Sequence, residues 1–568
     1  MQYDLIIKGG MIVDGSGGTP YPGDVGVIGG RIANIGRVSA PARRVIDADG
    51  LMVTPGFVDG HTHMDAQVFW DPLGSSSCYH GVTTAIMGNC GFTLAPCAAR
   101  DADFVFRNLE RAEDLSRDAM LAGIDWRWET FPEFLDVVDA LPKGINYGGY
   151  IGHSALRTWV MGERAFSEQA TAEDLARMSA QLQAAMHAGA IGFSTSRTYN
   201  HLTSDDRPVA SRVADWDEVR ALVMAMGDTG AGIFEIASET PGRKPERQRD
   251  YFERLISLTV ESGRPLTFGM FSTRIAPEVW RPFYEVANEA ARAGGRIFVQ
   301  AHSRHLSTLL SFLTHTPFDH WEIWRELRAK PLVEQKVLLR DPVWKQRLVD
   351  IANRPYDGPA IVGAEARPPE WDWVWLVNDY GVEQRMDEVA RERGVDPVTA
   401  MIDIALERDF NVFFRQPLAN EDQGHVLEMM RHPRSVVTFS DSGAHVAQIM
   451  DSSLQTHLLS HWVREQQAFT FEEAIRLITY DTATAWGLHD RGLVRVGMNA
   501  DLLVIDPATL SPLMPTVEHD LPAGAKRLVQ KSRGIHATIV NGELMLDNGV
   551  PTGALPGRLA RGPLARRH

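Results

Sequence analysis

Pro55-Gly56-Phe57-Val58-Asp59-Gly60-His61-Thr62-His63 is an apolar run that ends in His-x-His. Alternate residues of a strand point to the same face, so His61 and His63 project together and can bind one cation. Two core histidines would read the same in isolation. A position after Pro-Gly, at the C-terminal end of a strand, favours the metal, because that end of a parallel barrel is where its sites lie.

Outward from this segment, apolar strands alternate with amphipathic helices, the order expected of a parallel α/β barrel. Strands are predicted at 53–63, 83–90, 146–153, 190–196, 232–239, 266–271, 296–302 and 435–441. Helices are predicted at 172–188, 217–228, 247–261, 277–293 and 471–486. Eight strands fit a TIM-like (β/α)8 barrel, and the apolar run 411–414 is surplus, read as an extra edge strand. From about 304 to 393 the chain is helical, broken by proline and rich in tryptophan (Trp321, Trp324, Trp344, Trp371, Trp373, Trp375). It reads as an insertion in a βα loop, which would place it over the barrel mouth. Packing between helices explains most of those tryptophans equally well.

The first fifty residues differ in character, with short strands at 4–8, 11–13, 24–28, 31–35 and 43–47 separated by glycine turns. Strands at 500–505, 536–540 and 543–546, the last two around Asn541-Gly542, repeat it at the other end. The two terminal pieces are expected to share one sheet domain.

Composition narrows the partners. Net charge is −16 and the pI about 5.6, which disfavours a nucleic-acid partner. The one strongly basic run, 558–568, reads as a solvated tail. Three cysteines, Cys78, Cys90 and Cys97, argue against a disulfide framework. With no leader-like start and no long apolar stretch, a cytoplasmic location and no membrane contact are expected. A homo-oligomer is compatible with all of this.

Further segments carry a resemblance. They are Gly81-Val82-Thr83-Thr84 leading to Gly88-Asn89-Cys90-Gly91, Gly152-His153-Ser154-Ala155-Leu156-Arg157, Gly192-Phe193-Ser194-Thr195, Phe439-Ser440-Asp441, and Pro551-Thr552-Gly553-Ala554 before Pro556-Gly557-Arg558. With the His-x-His run, they resemble the amidohydrolase superfamily, and more narrowly the N-acyl-D-amino-acid deacylase group. The resemblance implies a composite β-sandwich from residues 1–52 and 487–568 around a catalytic barrel at 53–486. It also implies hydrolysis of an N-acyl amide, a small-molecule substrate, with one or two divalent ions, zinc suiting the donors.

Residue by residue, the resemblance makes Cys90 a metal ligand beside His61 and His63. Asp441, after the strand 435–441, becomes a ligand and the general base that moves a proton from water to the leaving nitrogen. Tyr199 is expected to hydrogen-bond the scissile carbonyl. His153, Arg197, His201 and His445, each in a loop beyond a strand, are candidate substrate contacts. The family's histidines at the ends of the fifth and sixth strands have no counterpart in 232–239 or 266–271, so Glu235, Glu239 and His302 are candidate replacements. Two other readings compete: a cyclic-amide hydrolase or deaminase of the same superfamily, and a binding protein that kept the barrel and lost its metal.

Overall fold

The computed structural model describes residues 2–242, 244–356 and 368–565. Its centre is an eight-stranded, all-parallel sheet of β1 (Phe57–Asp59), β2 (Val82–Met87), β3 (Asn146–Gly152), β4 (Gly192–Ser196), β5 (Ile233–Ala237), β6 (Leu266–Gly269), β7 (Ile297–Ala301) and β8 (Ser435–Val437). Every residue of β2, β3, β4 and β7 is buried, which explains why their sequences are continuously apolar or small rather than alternating. The sheet curls until its edges meet. Just beyond β1 and β8, Thr62 pairs in parallel with Ser442, and the His63 N–H donates to the Ser442 carbonyl at 2.7 Å. An α/β fold of TIM-like form results, with the His-x-His segment on the seam.

The predicted strand 53–63 is two strands. Met52–Pro55 belongs to a different sheet, and the chain breaks at Gly56, where an added Cβ would run into the Thr83 side chain. The other sheet has nine strands and draws on both ends of the chain. Met52–Pro55 lies parallel to Tyr3–Ile12 on one side and antiparallel to Leu502–Ile505 on the other. The predicted strands 4–8 and 11–13 are one strand, Tyr3–Ile12, bent by a register shift between Ile7 and Gly10.

Helices agree with the period of their sequences. Ala172–Ala188 starts at a capping box, in which Thr171 accepts from the Asp174 N–H and Asp174 accepts from the Thr171 N–H, and it ends at Gly189 with φ 108°. The predicted helix 471–486 is less regular: Phe471–Arg476 passes into a π-helical stretch, Leu477–Asp481, before Thr482–Ala485.

The tryptophan-rich insertion is larger than predicted and has its own core. Leu306–Leu310, Phe413–Ala419, Trp375–Asp379 and Val382–Arg385 form an antiparallel sheet in that order, covered by helices that include Pro397–Glu407. The run 411–414 is therefore part of a central strand of this small sheet, not an edge strand of the barrel, because it pairs on both sides. Trp324 is fully buried against Phe312 and Phe318, a packing role. The insertion leaves from the C-terminal end of β7, and Asn420 ties its return to β6 through the Ser272 backbone. Residues 357–367 of the insertion lie outside the described residues.

The basic C-terminal run is not a free tail. Leu559 pairs with Tyr147 of β3, Ala560 is buried, and Arg561 reaches Asp136 and Asp139; residues 566–568 lie outside the described residues.

Candidate metal centre

His61 and His63 stand past the end of β1 with ring centroids 5.4 Å apart, both buried. His61 Nδ1 lies 2.8 Å from the amide oxygen of Gln300, whose nitrogen donates to Thr267. That oxygen only accepts, so the ring proton sits on Nδ1 and the Nε2 lone pair is left open, the arrangement that metal-binding histidines use. His61 Nε2 faces Cys90 Sγ at 3.6 Å and Asp441 Oδ1 at 3.8 Å. His63 Nε2 faces Asp441 Oδ1 at 3.1 Å and Glu113 Oε2 at 3.6 Å.

Two overlapping donor groups result: His61, His63 and Cys90, and His63, Glu113 and Asp441, each with its donor atoms within 4.8 Å of one another. Donors about 2 Å from one tetrahedral ion stand roughly 3.4 Å apart, so these spacings fit a shared cation. The backbone is bent to reach this arrangement. Cys90 and Asp441 have φ of 56° and 57°, and Phe439 has 93°, a region that non-glycine residues rarely adopt and that clusters at functional sites.

The electrostatics also call for a cation. Burial pushes the Glu113 carboxyl up to about 8 and the Glu235 carboxyl up to about 8, in each case with Asp441 adding repulsion. Burial first, then Glu235, Glu113 and Asp441, push the Cys90 thiol well up. Burial would lower His63, but the charges of Glu113 and Asp441 outweigh it and raise it to about 9. Burial and the His63 charge lower His61 to about 3. Asp441 is held well below the usual carboxylate range; burial opposes this, and the hydrogen bond and charge of His63 win. Without an ion, a protonated His63 lies among several acids, and a divalent ion would balance their charge more effectively.

The positions of the absent fifth- and sixth-strand histidines are filled differently. On β5, Glu235 Oε2 accepts the Cys90 N–H at 2.7 Å and so fixes the turn that presents the thiol, while Oε1 lies 4.0 Å from His61 Nδ1. β6 ends at Gly269, where an added Cβ would strike the Phe439 ring. That ring lies 3.7 Å from the His61 ring, so an aromatic occupies space beside the donors. His302 is buried with Nε2 unpartnered among the described residues, and Nδ1 is taken by the Arg304 backbone. Glu239 pairs instead with Arg197, 3.7 Å away.

Several expected substrate contacts are placed otherwise. His153 is fully buried with both ring nitrogens engaged, by Thr195 at 2.8 Å and Glu218 at 2.9 Å, and Arg157 shares that Glu218, so it belongs to the framework. Arg197 packs on Trp216 and lines a groove with Asp215, Arg220 and Arg254, whose lining includes none of the donor residues. Tyr199 is 63% exposed. His201, by contrast, lies with its ring 5.0 Å from that of Phe92 and tilted to it, Phe92 itself neighbours His63, and His445 donates its backbone N–H to the Glu113 carbonyl.

Sequence reasoning missed Glu113, Gln300 and Phe439. Glu113 sits on a turn after the helix Ala102–Leu109, where no strand end or motif marks it. A cavity of about 630 Å³ adjoins this turn, lined by Arg111, Asp114, His315, Gly443, Ala447 and Lys526 among others. Gly443 lies against the His63 backbone. Among the described residues no helix is long and apolar enough to cross a membrane.

A family model described as "Amidohydrolase family" matches residues 44–545. N-acyl-D-aspartate deacylase of Alcaligenes xylosoxydans xylosoxydans is 28% identical over 97% of this chain and 94% of its own length. D-aminoacylase of the same organism is 27% identical over 98% and 97%. The structure of N-acyl-D-glutamate deacylase from Bordetella bronchiseptica, complexed with zinc and a phosphonate inhibitor that mimics the tetrahedral intermediate, superposes with a TM-score of 0.66 at 22% identity. It covers 99% of this chain and 100% of that one, a likeness of fold.

Proposed function

Because the chain belongs to the amidohydrolase family, we propose that it is a metal-dependent hydrolase that cleaves the C–N bond of an N-acyl-amino acid or related N-acyl amide. The observation that carries this reading is the convergence of His61, His63, Cys90 and Asp441, two imidazoles, a thiol and a carboxylate: His61 Nε2 lies 3.6 Å from the thiol and 3.8 Å from the carboxylate, and His63 Nε2 lies 3.1 Å from that carboxylate. A divalent cation held by them supplies the positive charge that acidifies a water and polarises a carbonyl oxygen.

The rest of the reaction falls to the chain's own groups. Asp441 accepts the proton of the attacking water and delivers it to the departing nitrogen, so that a carboxylate and an amine leave. Gln300 orients His61, Glu235 holds the Cys90 turn, and His201 and His445 are the candidate contacts for substrate. The names of the relatives make N-acyl-D-amino acids the first compounds to test. The division into a composite β-sandwich (1–52, 487–568) and a catalytic (β/α)8 barrel (53–486) is proposed with it, supported by the nine-stranded sheet that draws on both termini.

Metal analysis of the purified protein, joined to a screen of N-acyl-D- and N-acyl-L-amino acids, hydantoins and aminopurines, tests this reading. About one tightly bound divalent ion per chain, with release of free amine from an N-acyl-amino acid, is expected. Folded protein that takes up no ion would instead favour the metal-free binding protein, and turnover of a cyclic amide alone the cyclic-amide hydrolase.

A further inference from the structure

We propose that Glu113 is a ligand of the cation, a carboxylate brought to the barrel mouth from outside the strands. This rests on the metal-dependent reading above. Glu113 is 2% exposed, and its Oε1 has no hydrogen-bond partner among the described residues. A buried carboxylate left half unsatisfied is costly unless an ion or proton compensates it. Its close basic neighbour among the described residues, His63, is shared with Asp441, which lies nearer, at 3.1 Å against 3.6 Å.

The position of Glu113 is set by the main chain. The helix Ala102–Leu109 continues through the Glu113 N–H to the Leu109 carbonyl at 3.0 Å, and the Glu113 carbonyl accepts the His445 N–H at 2.8 Å. Both sides of the turn are thus pinned, and the side chain points among His63 and Asp441. Arg111, Asp114 and Arg117 on the same segment line the 630 Å³ cavity, so an ion held by Glu113 would sit beside that cavity's wall.

The competing role is a mere counter-charge for His63, and Glu113→Gln separates the two. Zinc affinity is measured by chelator competition, and thermal midpoints are taken with and without zinc. Loss of a metal's outer partner costs about 10- to 100-fold in affinity, so loss of a ligand should weaken zinc binding by at least about 100-fold. The rise in midpoint on adding zinc should shrink, while the zinc-free variant should be as stable as the wild type or more so, since a neutral amide replaces a buried carboxylate with one unsatisfied oxygen. Zinc affinity within about threefold of wild type would overturn the proposal. Should Glu113→Gln fail to fold, Glu113→Asp gives the same answer: it keeps the charge but withdraws the oxygens, so unchanged affinity means counter-charge and weakened affinity means ligand. Wild-type protein that binds no zinc at all would remove the hydrolase reading, whereas equal binding by wild type and variant removes this inference alone.

Discussion

Asp441 holds a left-handed backbone conformation between two histidines, its N–H donating to the His61 carbonyl at 3.2 Å. Its carboxylate is 17% exposed, so it can meet a substrate while touching His63. Replacing it with Asn keeps the shape and removes the proton acceptor. A drop in kcat of about 100- to 10,000-fold is expected, with a smaller change in KM, because general acid–base catalysis is worth that much. Zinc content of the same sample must be measured alongside, and a variant that keeps both its ion and near-wild-type kcat would show that the proton goes elsewhere. Cys90→Ala addresses binding rather than chemistry. Its thiol, 3.6 Å from His61 Nε2, is protonated unless an ion draws the proton off, so the variant should bind zinc less tightly. Substituting cobalt makes thiolate ligation visible as a charge-transfer band, and a cobalt spectrum identical in wild type and variant would return Cys90 to the core.

At the level of elements, Gly56 is the joint between two sheets. Its N–H donates to the Asp501 carbonyl at 2.8 Å, and the Thr83 side chain fills the space a Cβ would need. Gly56→Ala forces Thr83 or the strand to shift. Overpacking of this kind costs about 1–3 kcal/mol, so the denaturation midpoint should fall by a corresponding amount. An unchanged midpoint would mean that Thr83 rotates away freely. The metal site lies only a few residues on, so a loss of zinc affinity is expected to accompany the loss of stability. The helix Ala172–Ala188 provides the contrast: its capping box is local, and Thr171→Ala should cost about 1 kcal/mol with no effect on zinc.

For the whole molecule, the chain's end closes the structure underneath the barrel. Four backbone hydrogen bonds join 557–562 to the barrel: Gly557 N–H to Lys143, Tyr147 N–H to Arg558, Ala560 N–H to Tyr147, and Gly562 N–H to Gly189. At about 1 kcal/mol each, less what water restores, deletion of 556–568 should destabilise the fold by roughly 2–4 kcal/mol. A freely solvated tail would cost nothing, so equilibrium unfolding of the truncated protein decides between the two. The nine-stranded sheet has the same logic, since Leu502–Ile505 must find Met52–Pro55 across the whole barrel sequence. The insertion has a separate core around Trp324 and Leu310, and Leu309, Val377 and Phe413 of its sheet pack with Met450 and Leu528 outside it.

What the sequence determined by itself is local in origin. Helix periods and caps, the parallel order of strands, and the pairing of His61 with His63 follow from spacing along one segment, so they could be read directly. The barrel and the chemistry of its first strand followed from the same patterns, with Cys90 and Asp441 added by resemblance. Tertiary structure alone decided the rest. Where a strand ends depends on which sheet its neighbours offer, which split 53–63 at Gly56. The run at 411–414 became a central strand because partners at 306–310 and 375–379 flank it. The ring of His153 is engaged on both nitrogens, by Thr195 and by Glu218 sixty-five residues away, partners that spacing along one segment does not reveal. Glu113 entered it from a turn with no periodic signal, because burial and proximity to His63 are properties of the folded chain, and a carboxylate in a turn reads as solvated until the fold closes over it.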